Sequence, residues 1–599
     1  MLSGRLLTRC RTTTPALQKG RGTATRWQRP LWQHNNKFNY NCYSTQTIVN
    51  NKRSKRGLPW YLGIATLGMS GVATTLYYTS EDARHVFTAL QRCGKAGLVG
   101  TQVAWNYKVL LSTQYPNDEA YQLAKRECDK RSAEIVLRGL QSLGGIYIKL
   151  GQHVSAMVYI LPPEWTDTMS VLQDRCEPTP EEEVRQLFLS DYGQAIEDIF
   201  DEFDWTPIGV ASLAQVHKAK LKKTGREVAV KLQHPVLDEF CRVDMETVTF
   251  IIDVIKKAFP EFGFAWLADE MRESLPRELD FVHEAQNAKL VGQNFAEDIK
   301  YRRTALLVPE VIWAKRRILC MEFIEGSRID DLDYMKKHGI NPAQVSAEFS
   351  EAFSKMIFLH GFVHCDPHPG NVLIRPAKDP KHSKFNFDIV LIDHGLYREL
   401  PEQLRIDYAR LWTSLIRGDE EGIKKYAKRV GGTDTYQLFA SILTGRAWET
   451  VSSANLSTVR SSTELKVMSA GAMEYLVDIA DILSRLPRIV LLLLKTSDLL
   501  RHIDEVLRMG DGQQGSGDDH LTYVIMGRYC AKADWLDTRQ HLLNKLAKIG
   551  FNWQVIKSLA ISWWHYYSLA VMLWMYQRAS RLAFAKQQLQ HKQVKQVSQ

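Results

Sequence analysis

His364-Cys365-Asp366-Pro367-His368-Pro369-Gly370-Asn371, the apolar run Phe387-Asp388-Ile389-Val390-Leu391-Ile392, and then Asp393-His394-Gly395 decide how this 599-residue chain is read. Asp366 and Asn371 stand five residues apart, and a second carboxylate, Asp393, follows the strand-like run. One carboxylate can orient or deprotonate a hydroxyl, while an amide oxygen and another carboxylate suit a hard divalent cation. Phosphoryl transfer asks for that division of labour, a placed acceptor and neutralised phosphates. Asp366 is therefore the candidate catalytic residue, and Asn371 and Asp393 are the candidate Mg2+ ligands.

The other half of a nucleotide site lies upstream. Glu227-Val228-Ala229-Val230-Lys231 reads as a buried strand ending in a lysine, whose compact ammonium suits the α- and β-phosphates of ATP. Before it, Pro207-Ile208-Gly209-Val210-Ala211-Ser212-Leu213-Ala214-Gln215-Val216-His217 contains a small-residue turn. Such a turn lets backbone N–H groups approach a phosphate. Ile208, Gly209, Val210, Ala211, Ser212, Leu213, Ala214, Gln215 and Val216 are thus candidate nucleotide-binding positions. Downstream, Met321-Glu322-Phe323-Ile324-Glu325-Gly326 follows the strand-like Arg317-Ile318-Leu319-Cys320. It is a candidate hinge, with main chain at Glu322 and Ile324 reading adenine.

In order and spacing these pieces are similar to the phosphate loop, lysine strand, hinge, catalytic loop and Asp-Phe-Gly element of protein kinases. They imply an α+β, protein-kinase-like two-lobed fold. Two further motifs narrow the family. Lys149-Leu150-Gly151-Gln152 sits near the end of a helix-like stretch from about Ala133, and Glu278-Leu279-Asp280 precedes His283-Glu284-Ala285-Gln286-Asn287. With the alanine-bearing loop, these resemble the Lys-x-Gly-Gln, Glu-x-Asp and alanine-rich motifs of the UbiB/aarF-domain-containing atypical kinases. The resemblance spans roughly residues 130–420, and length and leader make the chain look like an animal, mitochondrial member.

The resemblance implies ATP and Mg2+ as cofactors, Asp366 as proton acceptor, and Glu284 holding Lys231. It implies a regulatory set, Lys149, Gln152, Glu278 and Asp280, in which Lys149 pairs with Glu278 and the Lys-x-Gly-Gln helix covers the place where a protein substrate would dock. It also implies a link to coenzyme Q and membrane-lipid homeostasis, with ATPase or small-molecule kinase activity favoured over protein phosphorylation. A catalytically weak, nucleotide-gated scaffold or lipid chaperone is the alternative. A phosphotransferase of aminoglycoside-kinase type uses a similar short loop, but the Lys149-Gly151-Gln152 helix argues against it.

Three departures matter. The family's alanine run is here Gly209-Val210-Ala211-Ser212. Cys365 replaces the arginine with which regulated kinases clamp a phosphorylated loop, and a thiol cannot make those charge-assisted bonds. His394 replaces the phenylalanine of Asp-Phe-Gly, so a packing-driven flip is not expected.

The net charge of +10 suggests nucleic-acid binding until it is located. Residues 1–56 carry twelve Lys/Arg and no acid, while the rest has 65 basic and 67 acidic residues. The excess belongs to an Arg-, Ser- and Thr-rich leader of mitochondrial transit type, and no nucleic-acid partner is expected. Residues 57–80 are uncharged, open on Trp60-Tyr61 and close on Tyr77-Tyr78, a length and pattern that suit a single transmembrane helix. The flanking cluster Lys52-Arg53-Lys55-Arg56 places the N-terminus in the matrix and the kinase domain in the intermembrane space. The expected location is a mitochondrial membrane, the inner one, and the expected partners are a membrane lipid or quinone-related small molecule and a membrane-protein complex.

Nine scattered cysteines without a Cys-x-x-Cys pair indicate neither a zinc site nor a disulfide framework. Beyond the span we expect a helical extension over 81–200, an atypical kinase core over 201–420 with its N-lobe ending near 326, and a helical C-terminal region over 421–599. Within the last, 510–519 is a linker by composition and Ile489 to Leu494 a core-facing helix. The uncharged, aromatic stretch 558–577 reads as a tail helix packed on the kinase body rather than one dipping into a bilayer.

Overall fold

The lysine strand, β4 (Glu227–Gln233), lies inside a sheet of order β1-β3-β4-β7-β6, in which β2 also pairs with β3. The other strands are β1 (Phe200–Phe203), β2 (Gly209–Val210), β3 (Ala214–Leu221), β6 (Val311–Ala314) and β7 (Ile318–Glu322). Because side chains alternate along a strand, Val228, Val230 and Leu232 enter one core with Phe188 and Phe200. Ala229 turns to the opposite face, against Phe281. Lys231 shares the face of Ala229, and that parity aims its ammonium at helix 281–294 and the cleft. Cross-strand register places Val216 and Leu319 beside it.

This computed structural model describes residues 81–155, 161–173, 178–258, 265–378, 385–453, 482, 485–509, 520–573 and 575. The leader, the expected transmembrane stretch 57–80 and the linker 510–519 lie outside them. Among the described residues no helix is long and apolar enough to cross a membrane.

After β7 the chain crosses to a second sheet of order β5-β11-β10-β8, made of β5 (Leu306–Leu307), β8 (Ser327–Arg328), β10 (Val372–Pro376) and β11 (Phe387–Leu391). Gly326 permits the crossing, since a Cβ there would stand 2.9 Å from the Ile374 carbonyl oxygen. The main helix of this lobe, Pro342–Ser354, starts with Asn341 capping and proline in the first turn. It passes through a π-helical turn, Lys355–His360, and stops at Gly361 with φ 66°. The catalytic loop follows. β9 (Phe362–His364) and β12 (Tyr397–Glu399) pair antiparallel, so the segments before Asp366 and after Asp393 run side by side.

The helical extension departs from the expected continuous stretch. Helix Asp118–Leu143 ends at Gly144 and Gly145, whose φ values of 62° and 58° favour glycine. A new helix, Ile146–Ser155, carries the Lys-x-Gly-Gln motif. Its Ile146 and Tyr147 pack with Leu140, Met169, Leu172 and Leu275. The insert after β4 is one long amphipathic helix, Pro235–Ala258.

The C-terminal region is built into the second lobe. Val490, Leu492 and Leu493 of helix Arg488–Met509 pack with Ile357, Phe358 and Trp412. Further along, Ile503 and Leu507 join Phe349 and Phe353. The run Ile489 to Leu494 is therefore core-facing, as its length suggests. Part of the aromatic tail is described: Leu569 and Leu573 pack against Val524 and Ala531, while Trp563, Trp564 and Tyr567 face outward.

Gly151 is fixed by packing. A Cβ there would meet Leu172 Cδ1 at 2.1 Å and Leu140 Cδ1 at 2.9 Å, and both leucines are themselves buried. Gly151→Val should lower unfolding free energy by about 1–3 kcal/mol through overpacking. Chemical denaturation of both proteins measures this, and an unchanged midpoint would contradict the packing described.

Candidate active site

The Lys231 ammonium sits 2.7 and 3.0 Å from the two Glu284 carboxylate oxygens and 2.8 Å from Asp393 Oδ2. Strand parity delivers the lysine, and helix Phe281–Asn294 delivers the glutamate. Burial works against all three charges, and mutual pairing offsets it. Burial lowers the lysine's pKa, yet Asp393 and Glu284 raise it further, so Lys231 ends above its ordinary value. For Asp393 burial is outweighed by the pull of Lys231, which holds its carboxyl well below the usual range.

Helix 281–294 also grips the peptide after Asp393. Glu284 Oε1 accepts from the His394 N–H at 3.2 Å. Asn287, one turn on, donates to the His394 carbonyl at 2.9 Å. The His394 ring is anchored at both nitrogens, to Tyr397 Oη at 3.0 Å and the Leu391 carbonyl at 3.1 Å. A carbonyl only accepts, so Nε2 carries the proton and Nδ1 accepts from the tyrosine. Burial and then the neighbouring His364 push the His394 pKa down to about 3. The expectation against a packing-driven flip thus gains a cause: His394 is tied by hydrogen bonds rather than seated by shape.

His364 links the two halves of the site. Its Nδ1 accepts from the Asp366 N–H at 3.0 Å, which leaves Nε2–H to donate to the Asp393 carbonyl at 3.1 Å. Asn371 donates from Nδ2 to the Asp366 carbonyl at 3.0 Å and to Asp366 Oδ2 at 3.3 Å, and its Oδ1 has no hydrogen-bond partner among the described residues. Among the described residues, Asp393 Oδ1 accepts only from the Gly395 N–H, at 2.9 Å. An amide oxygen and a carboxylate are the hard ligands Mg2+ takes when phosphates supply the rest, so these residues fit the expected cation. Cys365 is buried in the core, its thiol directed at the Val363 carbonyl.

Lys149 pairs with Glu278 at 2.9 Å, as the resemblance implied. The other Glu278 oxygen is buried without a hydrogen-bond partner among the described residues. Gln152 accepts from Ser212 Oγ at 3.1 Å and donates to the Leu172 carbonyl at 3.0 Å. The Lys-x-Gly-Gln helix therefore holds the turn between β2 and β3 directly. Asp280 differs from expectation: it caps helix 281–294 by accepting from the Val282 N–H at 3.0 Å.

Other candidate positions divide. The turn after β2 closes through Ala211 N–H to the Ala214 carbonyl at 2.8 Å, leaving Ser212 and Leu213 at its tip. Ser212 is spent on Gln152, and Leu213 packs beside the Lys-x-Gly-Gln helix. Gln215 is buried, accepting from the Thr179 N–H at 2.6 Å, so its side chain is structural rather than ligand-facing. A Cβ on Gly209 would meet nothing within 4 Å; Ile208 before it is exposed and Val210 after it is half-buried. Ala214 and Val216 join Ala229, Leu319 and Met321 in an apolar layer on the face of Lys231. At the hinge, the Glu322 N–H is taken by the Glu310 carbonyl at 2.9 Å, so Glu322 could read adenine only through its own carbonyl.

One residue escaped the sequence reading. Lys495 reaches Asp366 Oδ1 with its ammonium at 2.9 Å. Burial raises the Asp366 pKa, but Lys495 and then Lys149 outweigh it and hold the carboxyl well below its usual range. His153, one turn beyond Lys149, is driven well below its usual pKa by burial and these same lysines. The signal was a single cation directly after the apolar run Ile489 to Leu494.

Residues 171–427 match the ABC1 atypical kinase-like domain. The chain is 41% identical over 493 residues to the ABC1 family protein MCP2 homolog of Schizosaccharomyces pombe, covering 81% of this chain and 86% of that protein. It is 42% identical to ABC1 family protein MCP2 of Saccharomyces cerevisiae, covering 79% and 84%. With AarF domain-containing protein kinase 1 of Xenopus laevis it shares 38%, over 80% and 89%. Likeness of this depth along most of both chains, on a fold that gathers Lys231, Glu284, Asp366, Asn371 and Asp393, places the protein in the ABC1/AarF family of atypical kinases.

Proposed function

We propose that this protein is an ATP- and Mg2+-dependent phosphotransferase or ATPase. It is held in a mitochondrial membrane by residues 57–80, with its kinase domain in the intermembrane space. It acts in coenzyme Q or membrane-lipid homeostasis, on a membrane lipid or quinone-related small molecule. The observation that carries the catalytic part is the Lys231 ammonium shared between Glu284 and Asp393. Family membership supports a kinase-type enzyme. The leader and the uncharged stretch support the location, and the outward-facing Trp563, Trp564 and Tyr567 support a lipid surface nearby.

Each residue has a task in that reaction. Lys231 binds the α- and β-phosphates, and the apolar layer of Ala214, Val216 and Ala229 floors the base. Mg2+ on Asn371 and Asp393 supplies charge neutralisation on the phosphates when bound. Asp366 orients the acceptor hydroxyl or water, and its low pKa makes it an orienting group first and a proton acceptor late. The Lys149–Glu278 pair and the Gln152–Ser212 bond hold a helix on the docking side, which favours water or a small acceptor over a protein.

The Gln152–Ser212 bond also favours the alternative, a nucleotide-gated scaffold, because it restrains the loop that ATP must enter. Turnover decides between them. Asp393→Asn should reduce Mg2+-dependent ATP turnover by about 10²-fold or more, measured on membrane-extracted protein. Equal turnover in the variant would remove the enzyme reading, and nucleotide binding without wild-type turnover would favour the scaffold.

Gln152→Ala releases Ser212 at a cost of about 1 kcal/mol of hydrogen bonding. The nucleotide association rate should rise by up to about 5-fold. Stopped-flow binding of a fluorescent ATP analogue reads this, and an unchanged rate would show that the bond does not restrain the loop.

A further inference from the structure

In the transition state of phosphoryl transfer, negative charge spreads over the moving phosphoryl oxygens beside the acceptor. A preorganised cation at that point is worth more than one that must be recruited. The catalytic loop supplies no lysine or arginine there, since Pro367, His368, Pro369 and Gly370 fill the space between Asp366 and Asn371. His368 is folded into the turn, its Nδ1 accepting from the Gly370 N–H at 3.2 Å. Lys231 is engaged by Glu284 and Asp393, and Lys149 by Glu278.

The cation in contact with Asp366 comes from outside the catalytic core. Lys495 Nζ lies 2.9 Å from Asp366 Oδ1, with the lysine side chain still 20% exposed. Its helix is rigidly seated: Val490, Leu492 and Leu493 fill one core cluster, and Ile503 and Leu507 another. Arg488, two turns earlier, donates to Glu273 at 2.8 Å. A lysine in mid-helix between two buried anchor regions has a fixed origin and a flexible tip, which suits a charge that must change partners.

We infer that Lys495, delivered by helix 488–509, holds the Asp366 carboxylate before ATP binds and turns onto the transferred γ-phosphoryl group during the reaction. The inference rests on the phosphotransferase reading above and adds a catalytic residue to it. In the step, the acceptor oxygen bonds to the γ-phosphorus as the bond to the β,γ-bridging oxygen breaks. ADP leaves with that electron pair, and the acceptor's proton passes to Asp366. Lys495 keeps its proton and balances charge on the phosphoryl oxygens.

A merely structural ion pair and an inhibitory latch predict different outcomes. Full-length, membrane-extracted protein is compared as wild type, Lys495→Met, Lys495→Arg and Asp393→Asn. Mg2+-ATP turnover and affinity for a fluorescent ATP analogue are both measured. Lys495→Met should lower kcat by about 10²-fold while nucleotide affinity stays within about 2-fold. Lys495→Arg, which keeps the charge on a different fork, should recover about a tenth or more of wild-type kcat. An unchanged kcat in Lys495→Met makes the pair structural, an increase makes it a latch, and either overturns the inference. If Lys495→Met does not fold, Lys495→Gln carries the same comparison. Wild-type turnover abolished by Asp393→Asn but untouched at Lys495 removes this inference alone. A wild type that binds nucleotide without turnover removes the phosphotransferase reading beneath it.

Discussion

One ammonium shared by two carboxylates holds the two lobes in register. Lys231 belongs to the N-lobe sheet, Glu284 to the helix beside it, and Asp393 to the loop after the second lobe's central strand. A buried charge left without its partner costs about 3–5 kcal/mol, so each member constrains the other two. Glu284 and Asn287 extend the constraint by bonding both sides of the His394 peptide. His364 carries it to Asp366 through one neutral imidazole that donates to the Asp393 carbonyl and accepts from the Asp366 N–H. The orientations of the Asp366 and Asp393 segments are thereby set by a single connected network.

The regions flanking the kinase core close on that network from two sides. The Lys-x-Gly-Gln helix brings Lys149 to Glu278 and Gln152 to the turn between β2 and β3. The C-terminal helix brings Lys495 to Asp366. Both helices are seated by apolar packing, so their polar tips are positioned by cores that hold none of the site's polar residues. Extension and C-terminal region are walls of the same site.

Much of the core was legible because chemistry restricts residue type and spacing together. Lys231, Asp366, Asn371 and Asp393 could be placed from local strings, since a strand fixes parity and a short loop fixes reach. Glu284 and the Lys149–Glu278 pair came through resemblance, and the structure brings both into contact. The misses have a common cause in contacts distant along the chain. Lys495 is 129 residues from Asp366, and no local pattern joins them. Gly144 and Gly145 break a helix whose apolar pattern runs on across them. Asp280 and Gln215 were assigned to the site by motif position, yet only geometry shows one as a helix cap and the other as a buried bracket. The Lys-x-Gly-Gln residues showed an unusual motif without revealing that Gln152 grips Ser212.

The membrane address and the catalytic centre are separate claims with separate supports. The first lies in the composition of residues 1–80, the second in side chains that meet. Calorimetric titration of ATP into the full-length protein, with and without Mg2+, tests the second most directly. Tighter ATP binding in the presence of Mg2+ is expected if Asn371 and Asp393 hold the metal against phosphates drawn in by Lys231. ATP affinity indifferent to Mg2+, or no ATP binding at all, would contradict a shared nucleotide–metal site.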